Sequence, residues 1–466
     1  MKDDDGGWWL GQDNVEKILL HYFGELFSSS NPTNVEQTCE AIQKRLSPNH
    51  IEWCNQLFTA EEIKAALDQM HPLKAPDLDG LPVFFFQEYW HIVGKDVIDI
   101  ALGILNEGES PENINKTFIA LIPKCKNLSS PKQFRPISLC NFTMKIVTKT
   151  IANRIKSILP NVVDEEQSAL VKGRLITENA LIAMECFQWL KKKVKGKNGT
   201  MALKLDMEKA YDRMEWDFIR GVLQSMGFPN RLLQLIMICI SSLSYQVLIN
   251  GQPSKSFSPE RGIRQGDPLS PYIFILCANM LSGLLHNESQ SQAIHDIQVA
   301  RNAPKITHIL FADDSLLFAR ANQEEANTII QVLNKYQLAS SQLVSYDKSE
   351  VSFSRNVPDL EKNNICNKIK IKVVTSHSRY LGLPMIFGRS KKEVFAFVQD
   401  RIWKKVMGWK GKCLSKAGKE TLVKAVAQAI PSYIMSCYKI PEGCCSNIEG
   451  MLSKFWWGST EQQRKI

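Results

Sequence analysis

Three aspartates end short apolar stretches, and residues of this type in such places can bind metal. Asp313 and Asp314 lie between ITHIL and SLLFA, two runs typical of short strands. Asp206 ends MALKLD, whose alternating pattern is that of a half-buried strand. Carboxylates on two neighbouring strands can hold two Mg²⁺ ions about 3.5–4 Å apart, the arrangement used for in-line phosphoryl transfer. The pattern therefore favours two-metal phosphoryl chemistry.

A pair of neighbouring acids also has an explanation that involves no metal. Asp313 and Asp314 repel each other and resist burial, so they suit a solvated turn as well as a cation site. Asp206 strengthens the metal hypothesis because a strand is a rigid support for a ligand. The residues alone do not establish that positions 206 and 313 meet, and both explanations stay open at this point.

Helices and strands that could position these acids alternate along the chain. Thr59 and Glu62 form a capping box before EEIKAALDQM, and Pro160 is expected to end the helix that precedes it. Helical spacing of apolar residues predicts further helices over 13–28, 83–105, 142–159, 177–194 and 271–285, and short apolar runs predict strands over 118–123, 201–206 and 245–251. The acidic pair is expected at the turn of a hairpin. This mixture indicates the α+β class.

Positive charge is concentrated at one end of the chain. The net charge is +9, and residues 361–466 contain 20 Lys and Arg against 7 Asp and Glu. Such an excess fits a module that faces a polyanion, and it fits a solvated lysine-rich surface equally well. No GxGxxG or Walker A motif occurs in the sequence, so dinucleotide-binding and P-loop functions have no support.

The spacing of the cysteines and the N-terminal residues indicate in which cellular compartment the protein is expected. The twelve cysteines include no CxxC, which argues against a zinc site and against a disulfide scaffold. MKDDDGGWW lacks the features of a signal peptide, and the apolar run YIFILCANML is shorter than the ~18–20 residues of a membrane span. We expect an intracellular protein of the nucleus or cytoplasm, with no membrane partner.

A series of motifs gives the chain a resemblance to a known family. LKLDMEKAYDRMEW, RGIRQGDPLSPYIF and LFADDSLLFA occur in this order, accompanied by KAPDLDGLPVFFFQEYW, FIALIPKCKNLSSPKQFRPISLCN, EEQSALVKGRLITENALIA and YLGLPMIFGRSKK. The series resembles the reverse transcriptases of LINE-type (non-LTR) retrotransposons, and most closely those of the plant lineage. The resemblance extends over nearly the whole chain, through FWWGS.

The resemblance implies a right-hand polymerase. Residues 1–100 would form an N-terminal helical extension, 101–386 the fingers and palm, and 387–460 a helical basic thumb. An antiparallel palm sheet would carry the acidic hairpin, and the fingers would be helical. The implied activity is RNA-directed DNA polymerisation with two Mg²⁺ ions, or Mn²⁺. The implied partners are an RNA template, a DNA primer and dNTPs.

The resemblance also assigns roles to single residues. Asp206 and Asp313 would bridge the metals, with Asp314 completing the cluster, and Lys348 would act as a general acid towards pyrophosphate. The residues implied in dNTP binding are Tyr211 as an aromatic steric gate, Gln265 and Gly266 in the loop beside the nascent base pair, and Arg135 and Lys124 at the triphosphate. The residues implied in nucleic-acid binding are Arg174, Arg264, Lys404, Lys405, Lys412 and Lys416, with Arg264 also expected to hold its loop in shape with Asp267.

The sequence departs from the family pattern at several turns. Asp77 and Leu78 replace a Gly-Pro, Lys172 replaces a proline, and Ser341 and Ser345 replace a Gly and an Asn. None of these changes removes a predicted metal ligand. We expect a fragment of a larger polyprotein that lacks the endonuclease and downstream regions. The alternative hypothesis is a catalytically inactive remnant that only binds nucleic acid.

Overall fold

The computed structural model describes residues 1–2, 7–43, 45–73, 80–374, 379–385, 395–409 and 412–458. Its α-helices, in chain order, are α1 Gln12–Phe27, α2 Val35–Cys39, α3 Pro48–Asn55, α4 Ala60–Asp68, α5 Val83–Glu88, α6 Trp90–Leu102, α7 Phe142–Val162, α8 Ile176–Lys192, α9 Trp216–Ser225, α10 Asn230–Ser241, α11 Ser270–Gln290, α12 Gln323–Ser340, α13 Asp359–Ile369, α14 Ala396–Trp409, α15 Lys416–Leu422, α16 Ala429–Met435 and α17 Glu442–Trp457. Short π-helical turns follow α6 and α15, at Gly103–Glu107 and Val423–Ala427.

Two larger sheets complete the mixed α and β architecture. The strands are β1 Lys116–Pro123, β2 Phe134–Cys140, β3 Thr200–Leu205, β4 Met207–Glu208, β5 Ser244–Ile249, β6 Gln252–Pro253, β7 His308–Phe311, β8 Asp314–Arg320, β9 Leu343–Val344, β10 Glu350–Phe353, β11 Lys372–Val373, β12 Arg379–Tyr380 and β13 Leu383–Pro384. One sheet has the order β11-β10-β3-β8-β7 and is antiparallel except at β11. The other has the order β2-β1-β5-β6, with β1 and β5 parallel.

The sheet that carries the acidic pair is covered on both faces. Leu203 of β3 and Leu317 of β8 lie in the largest apolar core, together with residues of α7, α9, α11 and α12. Ala202 and Phe318 point to the opposite face, where they join a second core formed with α8, α14 and α17. Alternating side chains of a strand point to opposite faces, so each strand contributes to both cores. Apolar packing on two sides makes the sheet a rigid support.

This packing corrects the prediction that residues 201–206 form a half-buried strand. Ala202 is fully buried on the face that the alternation assigns to solvent, because α8 and the C-terminal helices cover that face. Lys204 remains partly exposed, and Asp206 lies just beyond the strand. Solvent therefore reaches β3 at its C-terminal end, where the polar residues lie.

Other predicted elements lie close to their expected positions. The capping box of Thr59 and Glu62 is confirmed, as is the hairpin of β7 and β8. The prediction that Pro160 ends its helix is wrong, since α7 continues to Val162. A proline in the last turn removes its own N–H bond but interrupts little helix beyond it. The predicted helix over 83–105 divides at Tyr89 into α5 and α6.

The N-terminal helices pack into the same body as the strands. Phe23 and Phe27 of α1 contact a core that includes Ile119 and Tyr245 of the second sheet. Helix α4 packs against α7. The division at residue 100 stays a prediction, and the division at 386 and 387 lies outside the described residues. Within the described ranges, no helix combines the length and apolar character needed to cross a membrane.

Candidate active site

Strand pairing brings the three aspartates together. Strand β3 pairs with β8 so that Leu205 lies opposite Ser315, and β7 pairs with β8 so that Phe311 lies opposite Asp314. Continuing the first register by one residue brings Asp206 opposite Asp314. Asp313 lies in the tight turn between β7 and β8. Two segments separated by about a hundred residues in sequence therefore present their carboxylates at the same end of the sheet.

The segment Asp164–Ser168 holds the hairpin in place. The backbone N–H of Leu310 donates to Glu166 O at 2.8 Å, and the N–H of Ser168 donates to Leu310 O at 3.1 Å. The side chain of Gln167 accepts from the N–H of Ala312 at 3.0 Å. Ala312 has a φ of +53°, in the left-handed region that non-glycine residues seldom adopt. External hydrogen bonds thus fix the turn from which Asp313 projects.

The acidic cluster carries charge that the surrounding protein compensates only in part. Asp313 reaches solvent, but partial desolvation by the surrounding protein raises its pKa and the charge of Asp206 raises it further, although Arg135 and Lys348 oppose the shift. Burial and the neighbouring Asp313 likewise raise the pKa of Asp314. The Nζ of Lys348 lies 3.6 Å from Asp206 Oδ1, and both side chains are substantially exposed. These carboxylates, two of them with raised pKa values, form an oxygen-rich site suited to hard divalent cations.

A cavity of about 480 Å³ opens beside these carboxylates. Its lining includes eight of the predicted residues, namely Lys124, Arg135, Asp206, Tyr211, Gln265, Gly266, Asp313 and Lys348. Asp314 is not among the lining residues and lies behind the turn, half-buried. The cavity therefore places basic side chains beside an acidic cluster, as a site for a metal-bound polyphosphate requires.

Tyr211 forms one apolar wall of this cavity. Its ring stacks on Phe274 with the centroids 4.9 Å apart and the planes 3° from parallel. Burial and the charge of Asp313 raise the pKa of Tyr211 to about 12, so its hydroxyl stays protonated at neutral pH. A flat ring held by stacking is a fixed steric boundary.

The loop of Gln265 and Gly266 reaches the cavity through backbone contacts. Ser138 N–H donates to Gln265 O at 2.8 Å, and Gln265 Nε2 donates to Asp212 Oδ1 at 2.9 Å. Gly266 has a φ of +117°, and a Cβ there would lie 3.2 Å from Ser138 O. Only glycine combines this backbone conformation with such a close approach.

Arg264 does not fit the prediction that it binds nucleic acid. Its guanidinium lies 2.6 Å from Asp267 and donates to Asn115 Oδ1, and only 3% of the residue is exposed. Asp267 in turn accepts from the N–H of Leu269 at 2.8 Å. The expectation that Arg264 and Asp267 hold the loop in shape agrees with these contacts. A buried, paired guanidinium has no surface to offer to a phosphate.

Arg174 contacts the chain segment that supports the hairpin. Its guanidinium donates to the carbonyl oxygens of Asp164 and Gln167, the latter at 2.5 Å, and to Val163 O at 3.2 Å. The residue is half-buried and does not line the cavity. Arg174 therefore stabilises the support of the acidic turn, whereas a contact to template was expected.

The four predicted lysines of the C-terminal region are exposed and are not among the residues that line the cavity. Lys404 and Lys405 are on α14, while Lys412 and Lys416 lie before and at the start of α15. Helix α14 packs against α17 through Ile402 and Val406. The apolar side of this helical region faces the core, and the lysine side faces solvent.

One cavity residue, Lys209, and its buried partner Asp212 were not singled out from the sequence. Lys209 lines the cavity, and burial lowers its pKa to about 8. Asp212 is almost fully buried, lies 3.9 Å from Lys209 Nζ, and has its pKa raised to about 6 by burial. Both lie in DMEKAYD at three-residue intervals after Asp206. That spacing could have indicated that both residues lie close to Asp206, but it does not reveal that they are buried.

The departures from the family pattern leave the acidic cluster intact where they are described. Ser345 N–H donates to Asp206 O at 2.8 Å, and Ser341 adopts a φ of +58° at the end of α12. Lys172 is exposed. Asp77 and Leu78 lie outside the described residues.

Comparison with known proteins identifies the family. A model described as "Reverse transcriptase (RNA-dependent DNA polymerase)" matches residues 122–385, which is more than half of the chain. The chain belongs to the reverse transcriptase family. The matched range contains all three aspartates and every residue that lines the cavity.

Relatives of this reverse transcriptase include proteins of non-LTR retrotransposons. It is 27% identical over 86% of its length to "Transposon TX1 uncharacterized 149 kDa protein" of Xenopus laevis. It is 24% identical over 65% of its length to the Pol polyprotein of the type-2 retrotransposable element R2DM of Drosophila melanogaster. A 68-residue segment is 52% identical to "Uncharacterized mitochondrial protein AtMg01250" of Arabidopsis thaliana, 56% of which it covers. The resemblance to non-LTR retrotransposon enzymes is confirmed.

The chain is much shorter than its full-length relatives. It spans 30% of the frog protein and 27% of the fly protein. What those whole proteins do is therefore not transferred to this chain by similarity alone.

Proposed function

We propose that this reverse transcriptase extends a DNA primer along an RNA template with dNTPs, using divalent cations held by Asp206, Asp313 and Asp314. The observation that carries the proposal is the convergence of the end of β3 and the β7–β8 turn on a cavity that is also lined by four basic side chains, namely Lys124, Arg135, Lys209 and Lys348. In the terms used for polymerases, the five-stranded sheet that carries the acidic hairpin is the palm. Strands β1 and β2 belong to the fingers, and α14–α17 form the thumb.

The carboxylates fit the divalent cations that the family uses. Asp313 and Asp314 have pKa values raised by burial and mutual repulsion, and a bound cation would relieve both effects. Bound Mg²⁺, or Mn²⁺, would supply the positive charge that activates a primer hydroxyl and neutralises the leaving pyrophosphate. The rigid sheet would keep the ligands in position during turnover.

The cationic wall would bind the triphosphate. Arg135 and Lys124 line the cavity with Lys209, and a forked guanidinium and point-like ammonium groups both suit phosphate oxygens. Lys348, 3.6 Å from Asp206, is placed to donate a proton to pyrophosphate. The low pKa of Lys209 would let it lose a proton near neutral pH, so it is a second candidate for that role.

Two residues would select and align the nucleotide. The stacked ring of Tyr211 would exclude a 2′-hydroxyl and favour dNTPs over NTPs. The Gln265–Gly266 loop would contact the nascent base pair, because glycine allows the backbone to approach a base closely.

The exposed lysines of α14 and α15 would hold the template–primer duplex. Contacts from Lys404, Lys405, Lys412 and Lys416 to phosphates would position the duplex without reading its sequence. Replacing these four lysines by glutamine should weaken binding and reduce the dependence of log K on log salt by about 0.7–0.9 per lost phosphate contact.

Primer extension with oligo(dT) on poly(rA), Mg²⁺ and dTTP tests the proposal. Wild-type chain should incorporate dTMP, and Asp313→Asn should not. Asp359→Asn, which changes an exposed acid of α13, is the matched control and should extend normally. A folded wild-type chain that binds the duplex without extending it would support the inactive-remnant alternative instead.

A further inference from the structure

Glu166, His286 and His308 form a cluster outside the cavity. One possible ligand atom from each residue lies within 4.8 Å of the other two. The imidazole rings are 5.1 Å apart, and His286 Nε2 lies 3.2 Å from Glu166 Oε1. The residues come from three elements, namely the Asp164–Ser168 segment, α11 and β7. The three side chains are therefore brought together by tertiary packing and not by a local sequence motif.

His308 is the unusual member of this cluster. The residue is fully buried, its Nε2 lies 2.8 Å from Ser282 Oγ, and its Nδ1 has no hydrogen-bond partner among the residues that the structure describes. When Nε2–H donates to the serine hydroxyl, the lone pair resides on Nδ1. An unsatisfied buried nitrogen costs free energy, and most such groups in folded proteins have a partner. A metal ion is a partner of the right kind.

The available donors favour a transition metal over Mg²⁺. Two imidazole nitrogens and a carboxylate form the donor set of many zinc sites, whereas Mg²⁺ prefers oxygen ligands. Asp164 Oδ2 lies 3.8 Å from His286 Nδ1, the ring nitrogen that does not face Glu166, so it would orient the imidazole and not bind the ion. Side chains bound at ~2.0–2.2 Å must come closer together than they lie here. The side chains of His286 and Glu166 are 25% and 30% exposed, so they have room to move and leave a route for the ion.

We propose that Glu166, His286 and His308 bind a divalent transition-metal ion such as Zn²⁺, at a structural site separate from the aspartate cluster. The absence of CxxC motifs does not argue against this site, because it uses no cysteine. Glu166 O accepts from Leu310 N–H, and the adjacent Gln167 holds Ala312 of the acidic turn. An ion bound here ties α11 and β7 to the segment that supports the hairpin.

Metal binding is measured on the full chain in an Asp206→Asn, Asp313→Asn background, so that the aspartate cluster does not contribute. Exposed Cys125 and Cys413 are changed to serine to remove accessible thiols. Equilibrium dialysis with Zn²⁺ in excess Mg²⁺ should give one ion per chain and a raised melting temperature. Co²⁺ in place of Zn²⁺ should give the visible absorption of a low-symmetry nitrogen and oxygen site.

Variants separate this site from chance binding. His286→Asn changes a partly exposed residue and should weaken Zn²⁺ binding by at least about 100-fold. His295→Asn is the control, because His295 also pairs with a glutamate, Glu325, at 2.9 Å. It should leave Zn²⁺ binding unchanged. Glu166→Gln provides a second test that leaves both histidines in place.

Two outcomes overturn the proposal. One is a folded background chain that binds no Zn²⁺, since the cluster is then an ordinary His–Glu ion pair beside a buried imidazole. The other is Zn²⁺ binding that persists in both His286→Asn and Glu166→Gln. The background chain already lacks two of the three proposed metal-binding acids, so neither result depends on polymerase activity, and primer extension tests that function separately.

Discussion

Asp313 and Asp267 lie in the same part of the molecule, but the protein compensates their charges differently. Asp267 has Arg264 at 2.6 Å and accepts from a backbone N–H within its own loop. Asp313 faces Asp206 and Asp314, and its pKa is raised. Internal compensation fixes the shape of the loop, whereas incomplete compensation leaves the hairpin able to bind a cation. The comparison separates an acid whose charge is neutralised within the fold from an acid whose charge remains available for the proposed metal binding.

The largest effect is expected for catalysis at the hairpin. Asp313→Asn should lower the incorporation rate by about 10⁴-fold, which corresponds to roughly 5.4 kcal/mol in the barrier, because a metal ligand is lost. Single-turnover primer extension measures the rate, and circular dichroism checks the fold. Should the Asn variant retain more than a tenth of wild-type activity, Asp313 would belong with the structural acids.

The loop should show its effect in stability. Arg264→Met leaves Asp267 as a buried unpaired charge and should lower the free energy of unfolding by about 3–5 kcal/mol. Urea denaturation measures this change. Arg135→Met, at the exposed side of the cavity, is the control and should change stability by no more than about 0.5 kcal/mol. Equal losses of stability in the two variants would mean that Arg264 compensates a buried charge no more than the exposed Arg135 does.

The hairpin acids should make a separate contribution to the pH dependence of metal-free stability. A raised folded-state pKa means that Asp313 and Asp314 destabilise the fold when ionised. Their contribution to stability is therefore most favourable where both are protonated, and it is lost as pH rises from the ordinary aspartate pKa through the raised values. In EDTA at pH 7, Asp313→Asn should therefore melt at a higher temperature than wild type.

Magnesium provides the complementary measurement. Mg²⁺ should raise the melting temperature of wild type at pH 7, because it binds the folded state. The same addition should have little effect on an Asp206→Asn, Asp313→Asn chain. Melting scans between pH 4 and 8, with EDTA and with Mg²⁺, compare the two. A wild-type melting temperature that is independent of both pH and Mg²⁺ contradicts the charge argument.

The smallest effect is expected for the ion pair of Lys348 and Asp206. The lysine side chain is 67% exposed and 3.6 Å from the carboxylate, so solvent screens the attraction. Lys348→Met should change the free energy of unfolding by less than about 0.5 kcal/mol. The rate at which the Lys348→Met variant incorporates nucleotides should nevertheless fall, and the pH dependence of that rate should shift. A stability loss above 1 kcal/mol would mean that Lys348 compensates the cluster as Arg264 compensates Asp267.

Sequence patterns were sufficient for the local elements and for the acids. Asp206 and the hairpin pair were recognisable because strand periodicity, turn position and residue type depend on a few neighbouring residues. The capping box of Thr59 was recognisable for the same reason, whereas the loop of Gln265 and Gly266 was singled out through the family resemblance. Pro160 was misjudged because a proline near a helix end has a small cost that its sequence context does not reveal.

Burial was the property that the sequence did not supply. Ala202 looked like a solvent-facing residue until α8 and the C-terminal helices were seen to cover it. Arg264 and Arg174 looked like phosphate ligands, yet both guanidiniums are engaged by the protein itself. Whether an arginine binds phosphate or a carbonyl oxygen depends on what packs beside it.

The sequence by itself determined the motifs on which the resemblance to reverse transcriptases rests, and that resemblance singled out three aspartates, a tyrosine, a glycine loop and a basic C-terminal region. These depend on residue type and short spacing. The tertiary structure alone decided which charges are compensated and which remain available, because partners such as Asn115 and Arg264, or His286 and Glu166, are more than a hundred residues apart in the chain. Such pairings follow from the packing of the whole fold, to which all its residues contribute.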